Sequence, residues 1–154
     1  MPDGPRYDDD FYAWTKYQAD VLRSVRIRDN RFDREHVAEE IEDLGKSYRD
    51  AARSQVRRIL EHLLKLAYSP ADDPRADWMT SIAEARDMLK DQLTPTLRND
   101  VETMLERLYQ DARHRADIAL DRFGETDAAK ALPITCPYSL DEIVRDRWYP
   151  EPSK

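Results

Sequence analysis

The stretch HVAEEIEDLGKSYRD, residues 36 to 50, places five carboxylates and a glycine inside one helical pattern. Carboxylates in that density can hold a cation or act as general bases when a proton carrier stands nearby. His36 and Glu40 are four positions apart, the spacing at which side chains meet on a helix, so Glu40 is a candidate ligand or base with His36 as helper. On the helical wheel, however, Glu39 and Glu42 point away from the apolar positions, Asp43 lies well off them and Glu40 sits at their edge. A solvated face with one boundary carboxylate is the preferred reading.

His62 is the second candidate. Together with Gln55 it falls near the centre of an apolar stripe, where a polar ring needs a hydrogen-bond partner. A satisfied core histidine is the usual result; a metal ligand or proton carrier is the sharper one. Arg57 and His62, in RRILEH, match the Arg-x(4–6)-His pattern of helical ribonucleases. RFDREH and RLYQDARH match it too, which makes the pattern weak in so arginine-rich a chain. Glu40 and His62 are 22 positions apart, roughly 33 Å along an unbroken helix. They could share a site only across an antiparallel dimer.

The remaining candidates are Tyr109 and Arg113, one turn apart on one edge of a helix; their functional reading is a groove for an anionic ligand, and structural pairing is the default. Arg115 has Asp111 four residues back as an ion partner. Cys136, in TCPY, lacks a visible base and reads as a packing residue. Glu-x-x-His pairs on two helices, which a carboxylate-bridged dimetal bundle needs, do not occur, and three scattered glycines make no phosphate-cradling loop. No metal or cofactor is expected.

Helices must position these residues. Asp8, Asp9 and Asp10 offer capping oxygens, and Phe11, Trp14, Val21, Leu22 and Val25 recur at helical spacing, predicting a helix over 9–27. Asp33 is the N-cap of a second, in which Val37, Ile41, Leu44, Tyr48, Ala52, Val56, Ile59, Leu63 and Leu66 form one stripe as far as Tyr68. Its charge is graded: one Arg against five acids over 34–45, six bases against two acids over 46–65, the order the helix dipole prefers. Such length in a small domain predicts a kink near Gly45. Asp73-Pro74 opens a third helix carrying Trp78, Ile82, Ala85, Leu89 and Leu93. Thr94-Pro95 opens a fourth, in which Leu97, Val101, Met104, Leu108, Ala112, Ala119 and Phe123 run to a stop at Gly124. The following ETDAAKALPITCP is looser, with room for one helical turn. SLDE, Ser139 to Glu142, is a capping box before a short helix ending near Arg147, and Trp148 and Tyr149 close the chain in extended form over the bundle. The expected fold is all-α: a four-helix bundle-like core over 7–150 with a short C-terminal helix and an extended aromatic tail, flanked by flexible ends at 1–6 and 151–154.

Six ordered motifs carry a resemblance: DFYAW, EEIEDLGKS, HLLKLAYSP, YQDAR, CPYSLDE and the closing WYP. Over about residues 7 to 150 the chain resembles the bacterial family called domain of unknown function 29. The position after HLLK, an aromatic in that family, is Leu66 here. The resemblance implies an all-helical fold and brings no assigned activity.

The totals narrow function further. A net charge of −7 argues against binding phosphate backbones, no apolar run reaches the roughly 20 residues of a membrane span, and the acidic start is unlike a signal peptide. A lone cysteine excludes an internal disulfide and fits a reducing, cytoplasmic setting. The expected function is a non-catalytic interaction module that self-associates, as a homodimer or with an unidentified protein partner. The alternatives are a hydrolase or ribonuclease using His62 and Arg57, or a helical protein holding a single metal.

Overall fold

In the computed structural model, which describes residues 3–153, the chain forms seven helices and no strand among those residues. They are α1 (Phe11–Ser24), α2 (Arg34–Tyr68), α3 (Arg75–Gln92), α4 (Pro95–Thr103), α5 (Leu105–Arg122), α6 (Thr126–Ala131) and α7 (Leu140–Val144). The expected all-α class holds. Of the expected flexible ends, residues 1, 2 and 154 lie outside the described part. Near the other ends, the Ser153 amide donates to the Ala67 carbonyl at 2.6 Å, and the Tyr7 ring packs edge-on against Phe11 and Trp14.

The caps follow from local chemistry. Asp10 accepts from the Ala13 amide and Asp33 from the His36 amide. Thr94 accepts from the Leu97 amide, with Pro95 at the first helical position. Ser139 and Glu142 form the complete capping box. Each satisfies amides that a helix start leaves without a partner. Gly124, at φ 78°, ends α5 in the left-handed region, where glycine carries no Cβ penalty.

Elsewhere the structure corrects the expected elements. α1 is shorter than 9–27, because Val25 turns extended and the chain stays irregular up to Asp33. α3 starts one residue after Pro74, without a side-chain cap. The expected fourth helix is two: Met104 leaves helical geometry at φ −92°, ψ 2°, separating α4 from α5. α7 ends at Val144, short of Arg147. α2 remains one helix of 35 residues with no break at Gly45.

Gly45 instead lets α1 approach. A Cβ there would lie 2.0 Å from Thr15 Oγ1, so only glycine fits the crossing. α2 is the axis of the fold and touches α1, α3, α4, α5, α6 and α7. Its second half holds the core: Val56, Ile59, Leu60, Leu63 and Leu64 are fully buried, with Ile82, Leu89, Val101, Leu108 and Tyr109 around them. Arg75 donates to the Leu66 carbonyl and Arg58 pairs with Glu84, which sets α3 antiparallel to α2. Arg53 grips Asp100 with two hydrogen bonds of 2.8 and 2.7 Å, fastening α4 to α2. The tail covers the bundle through Trp148, edge-on to Tyr138, and Tyr149, whose ring lies 5.4 Å from the Arg86 guanidinium.

Candidate functional site

The carboxylates of EEIEDLG face outward. Glu39 and Glu40 are exposed, and Glu42 receives Arg23 from α1 at 2.7 Å. His36 does not turn to Glu40: its Nδ1–H donates to Asp33 at 2.6 Å. That bond and the adjacent charge raise the His36 pKa, and the same bond lowers that of Asp33. Because α2 is unbroken, Glu40 and His62 stay roughly 33 Å apart within one chain.

His62 is half-buried, and its Nδ1–H donates to the Arg58 carbonyl one turn back at 2.7 Å. Burial lowers its pKa, so the ring is neutral at neutral pH, with Nε2 carrying the lone pair. Arg57 leaves in another direction, donating to Ser54 at 3.1 Å and lying 3.8 Å from Asp111 of α5. Asp111 thus faces α2 rather than serving Arg115. Among the described residues no group of three His, Cys, Asp or Glu side chains is placed to hold a metal ion.

Tyr109 and Arg113 do share an edge, and they share an acceptor. The Tyr109 hydroxyl donates to the Pro133 carbonyl at 2.5 Å and Arg113 Nε donates to the same oxygen at 2.9 Å. Together they clamp the segment between α6 and α7. Burial raises the Tyr109 pKa far above the usual phenol range, so the hydroxyl keeps its proton and remains a donor. Cys136 is half-buried, with Sγ 3.3 Å from the Tyr138 carbonyl, and burial raises its pKa as well. A thiol held protonated is a poor nucleophile.

Arg86 is a residue that sequence spacing did not single out. Only 2% exposed, it donates through Nε and Nη2 to the carbonyls of Ile143 and Glu142 at 2.8 and 3.2 Å. Those carbonyls end α7, where partial negative charge gathers. The only hint in the sequence is that Arg86 follows Ala85 on the apolar side of α3.

Two surfaces remain. The first is the N-terminal half of the α2 stripe. α3 is 18 residues against 35, about 27 Å against about 52 Å, and the Arg58–Glu84 pairing makes it end beside α2 near residue 50. Beyond that point Leu44 and Tyr48 are 48% and 45% exposed, and Val37 and Ile41 are half-exposed. These residues continue the apolar stripe expected along the second helix, and this half of the stripe runs past the end of α3. Phe11 of α1, 4.6 Å from the Tyr48 ring, and Trp14, stacked on Phe11, extend the patch. The second is a pocket of about 560 Å³ where the C-terminal ends of α2 and α5 meet the start of α3, lined by Lys65, Asp73, Trp78, Leu120, Phe123 and Glu125 among others. Phe123, the last apolar residue of the expected fourth helix, is 80% exposed at its lip, and Leu120 is buried.

No helix among the described residues is long and apolar enough to cross a membrane. The family model described as Domain of unknown function DUF29 matches residues 6–149. No curated protein matches the chain. Among solved structures, an alpha-helical protein of unknown function from Rhodospirillum rubrum is similar. It shares 27% identity over 95% of this chain and 93% of that one, with a TM-score of 0.83.

Proposed function

The chain belongs to the family Domain of unknown function DUF29, a membership that brings no activity with it, and from that premise we propose that the protein is a non-catalytic interaction module that self-associates through the uncovered half of α2. The observation that carries this reading is the length mismatch between α2 and α3, which leaves Leu44 and Tyr48 exposed and Val37 and Ile41 half-exposed as one continuous stripe. Apolar surface removed from water contributes about 25 cal/mol per Å², and a two-fold interface covers the patch on both copies at once.

The partner of best fit is a second copy running antiparallel, with the two-fold axis between Ile41 and Leu44. In that arrangement the acidic start of one α2 faces the basic stretch from Lys46 onward of the other, and the helix dipoles oppose. Glu40 then lies opposite the partner helix near its glycine, so the pairing does not bring Glu40 to His62. A hydrolase or ribonuclease built on Arg57, His62 and Glu40 has less behind it, since the three side chains leave α2 at different heights or in different directions.

Mass in solution tests the reading. By light scattering or sedimentation, the wild-type chain is expected as a dimer at tens of micromolar, on the order of typical interface affinities. Leu44→Glu is expected to be monomeric with an unchanged helical spectrum, because Leu44 supports nothing in the core. A wild-type chain that stays monomeric at high concentration, or a Leu44→Glu variant that still dimerises, removes the proposal.

A further inference from the structure

We propose that the pocket between the ends of α2 and α5 and the start of α3 binds a small organic monocation with an apolar body, an aryl- or alkylammonium. The cavity, about 560 Å³, is of the size that holds small molecules, roughly 300–1,000 Å³. Its walls are apolar and aromatic. Leu120 forms a buried base, the Trp78 indole packs against the core from α3, and the Phe123 ring stands at the lip. Phe123 is the C-cap of α5, one residue before the left-handed Gly124, and its ring is 80% exposed.

Charge decides which amphiphile fits. The lining carries one base, Lys65, and two acids, Asp73 and Glu125. Lys65 is already neutralised: its Nζ lies 3.0 Å from Glu61, with both side chains mostly buried. Among the described residues neither Asp73 nor Glu125 is ion-paired. Glu125 is also fixed in place, since Ser69 donates its hydroxyl to one carboxylate oxygen at 2.5 Å while accepting the Ala71 amide at 3.1 Å. The pocket therefore combines two aromatic rings, whose faces attract cations, with uncompensated negative charge on an anchored carboxylate. The same charge repels an anion of identical shape. The inference is independent of self-association, whose surface lies at the other end of α2.

Two probes with one body and opposite charge provide the test: phenethylammonium and 3-phenylpropanoate, titrated into the full chain while the Trp78 indole N–H resonance is followed, with Trp78→Phe used to assign it. The ammonium is expected to shift that resonance saturably and to bind at least about tenfold more tightly than the carboxylate. Glu125→Gln keeps the acceptor for Ser69 and removes the charge, and is expected to weaken the ammonium by about three- to tenfold. Asp73→Asn, at an exposed position, provides the same readout if Glu125→Gln fails to fold. No saturable shift with the ammonium, equal affinity for both probes, or full affinity in the charge-removed variant overturns the proposal.

Discussion

Gly45 of α2 and Thr15 of α1 touch so closely that the space for a Cβ on Gly45 is already filled by the Thr15 hydroxyl, 2.0 Å from where that carbon would stand. Thr15 is fully buried and its Oγ1 donates to the Tyr12 carbonyl at 2.7 Å, so it cannot swing away without losing a buried hydrogen bond. Mid-helix glycine costs about 1 kcal/mol relative to alanine; here that cost brings the two helix backbones together. Gly45→Ala is expected to destabilise the fold by about 1–3 kcal/mol despite its better helix propensity. Thr15→Ala is expected to restore part of that loss in the double variant, because its Cβ still stands 3.0 Å away. Thermal unfolding of the two single variants and the double variant measures this. A Gly45→Ala chain more stable than wild type would show that the helices separate freely.

What the sequence revealed follows from the range of each interaction. Asp33, Thr94-Pro95, Ser139 with Glu142, and Gly124 act on amides or carbonyls within a few residues, so their signals are local and were read correctly. Gly45 is also a local signal, but its reason is Thr15, thirty residues away; from the chain alone a kink was the available explanation. The spacing of Val37, Ile41, Leu44 and Tyr48 identifies a face and is silent on which neighbour reaches it. Whether the stripe is core or surface depends on where α3 stops. Phe123 continues the periodic pattern of the expected fourth helix and Leu120 stands outside it, yet Leu120 is buried and Phe123 is exposed. Of the candidate site residues, Tyr109 and Arg113 share a helix edge as their spacing predicts, and both are spent on one backbone acceptor. Their common acceptor, the Pro133 carbonyl, is backbone and leaves no mark in side-chain identity.

Arg86 joins α3 to the C-terminal segment. Its guanidinium is nearly sealed from water, and burial lowers its pKa. Nη1 is buried without a partner, so the residue balances a desolvation cost against two carbonyl bonds and the Tyr149 ring. Arg86→Met keeps much of the volume and removes the donors. The expected loss is about 1–3 kcal/mol, chiefly from the Ile143 carbonyl, since the Glu142 carbonyl still accepts the Arg145 amide, and it is concentrated locally. Amide exchange over 140–149 is expected to accelerate more than exchange in α2, and limited proteolysis to cut the tail first. Uniform acceleration throughout the chain would mean that Arg86 supports the core as a whole rather than the tail.

His36 and His62 give stability opposite dependences on pH. Asp33 raises the His36 pKa above 6.5, so its contribution is fully present below the unfolded value and fades as pH rises through the folded one. Burial lowers the His62 pKa below 6.5. For a base whose folded pKa is depressed, the unfolded chain binds the proton more readily, so stability is complete above the unfolded value and declines as pH falls toward the folded one. Denaturant midpoints between pH 5 and 8 are therefore expected to change in opposite senses. Removing His36 with His36→Asn makes the profile rise more steeply with pH, because the term that fell with pH is gone. Removing His62 with His62→Gln flattens the acid side. The first effect is small and screened by salt, since the His36–Asp33 pair lies at the surface; the second is insensitive to salt, because its cause is burial. A His62→Gln profile parallel to wild type would place His62 in water, contrary to its packing on α2.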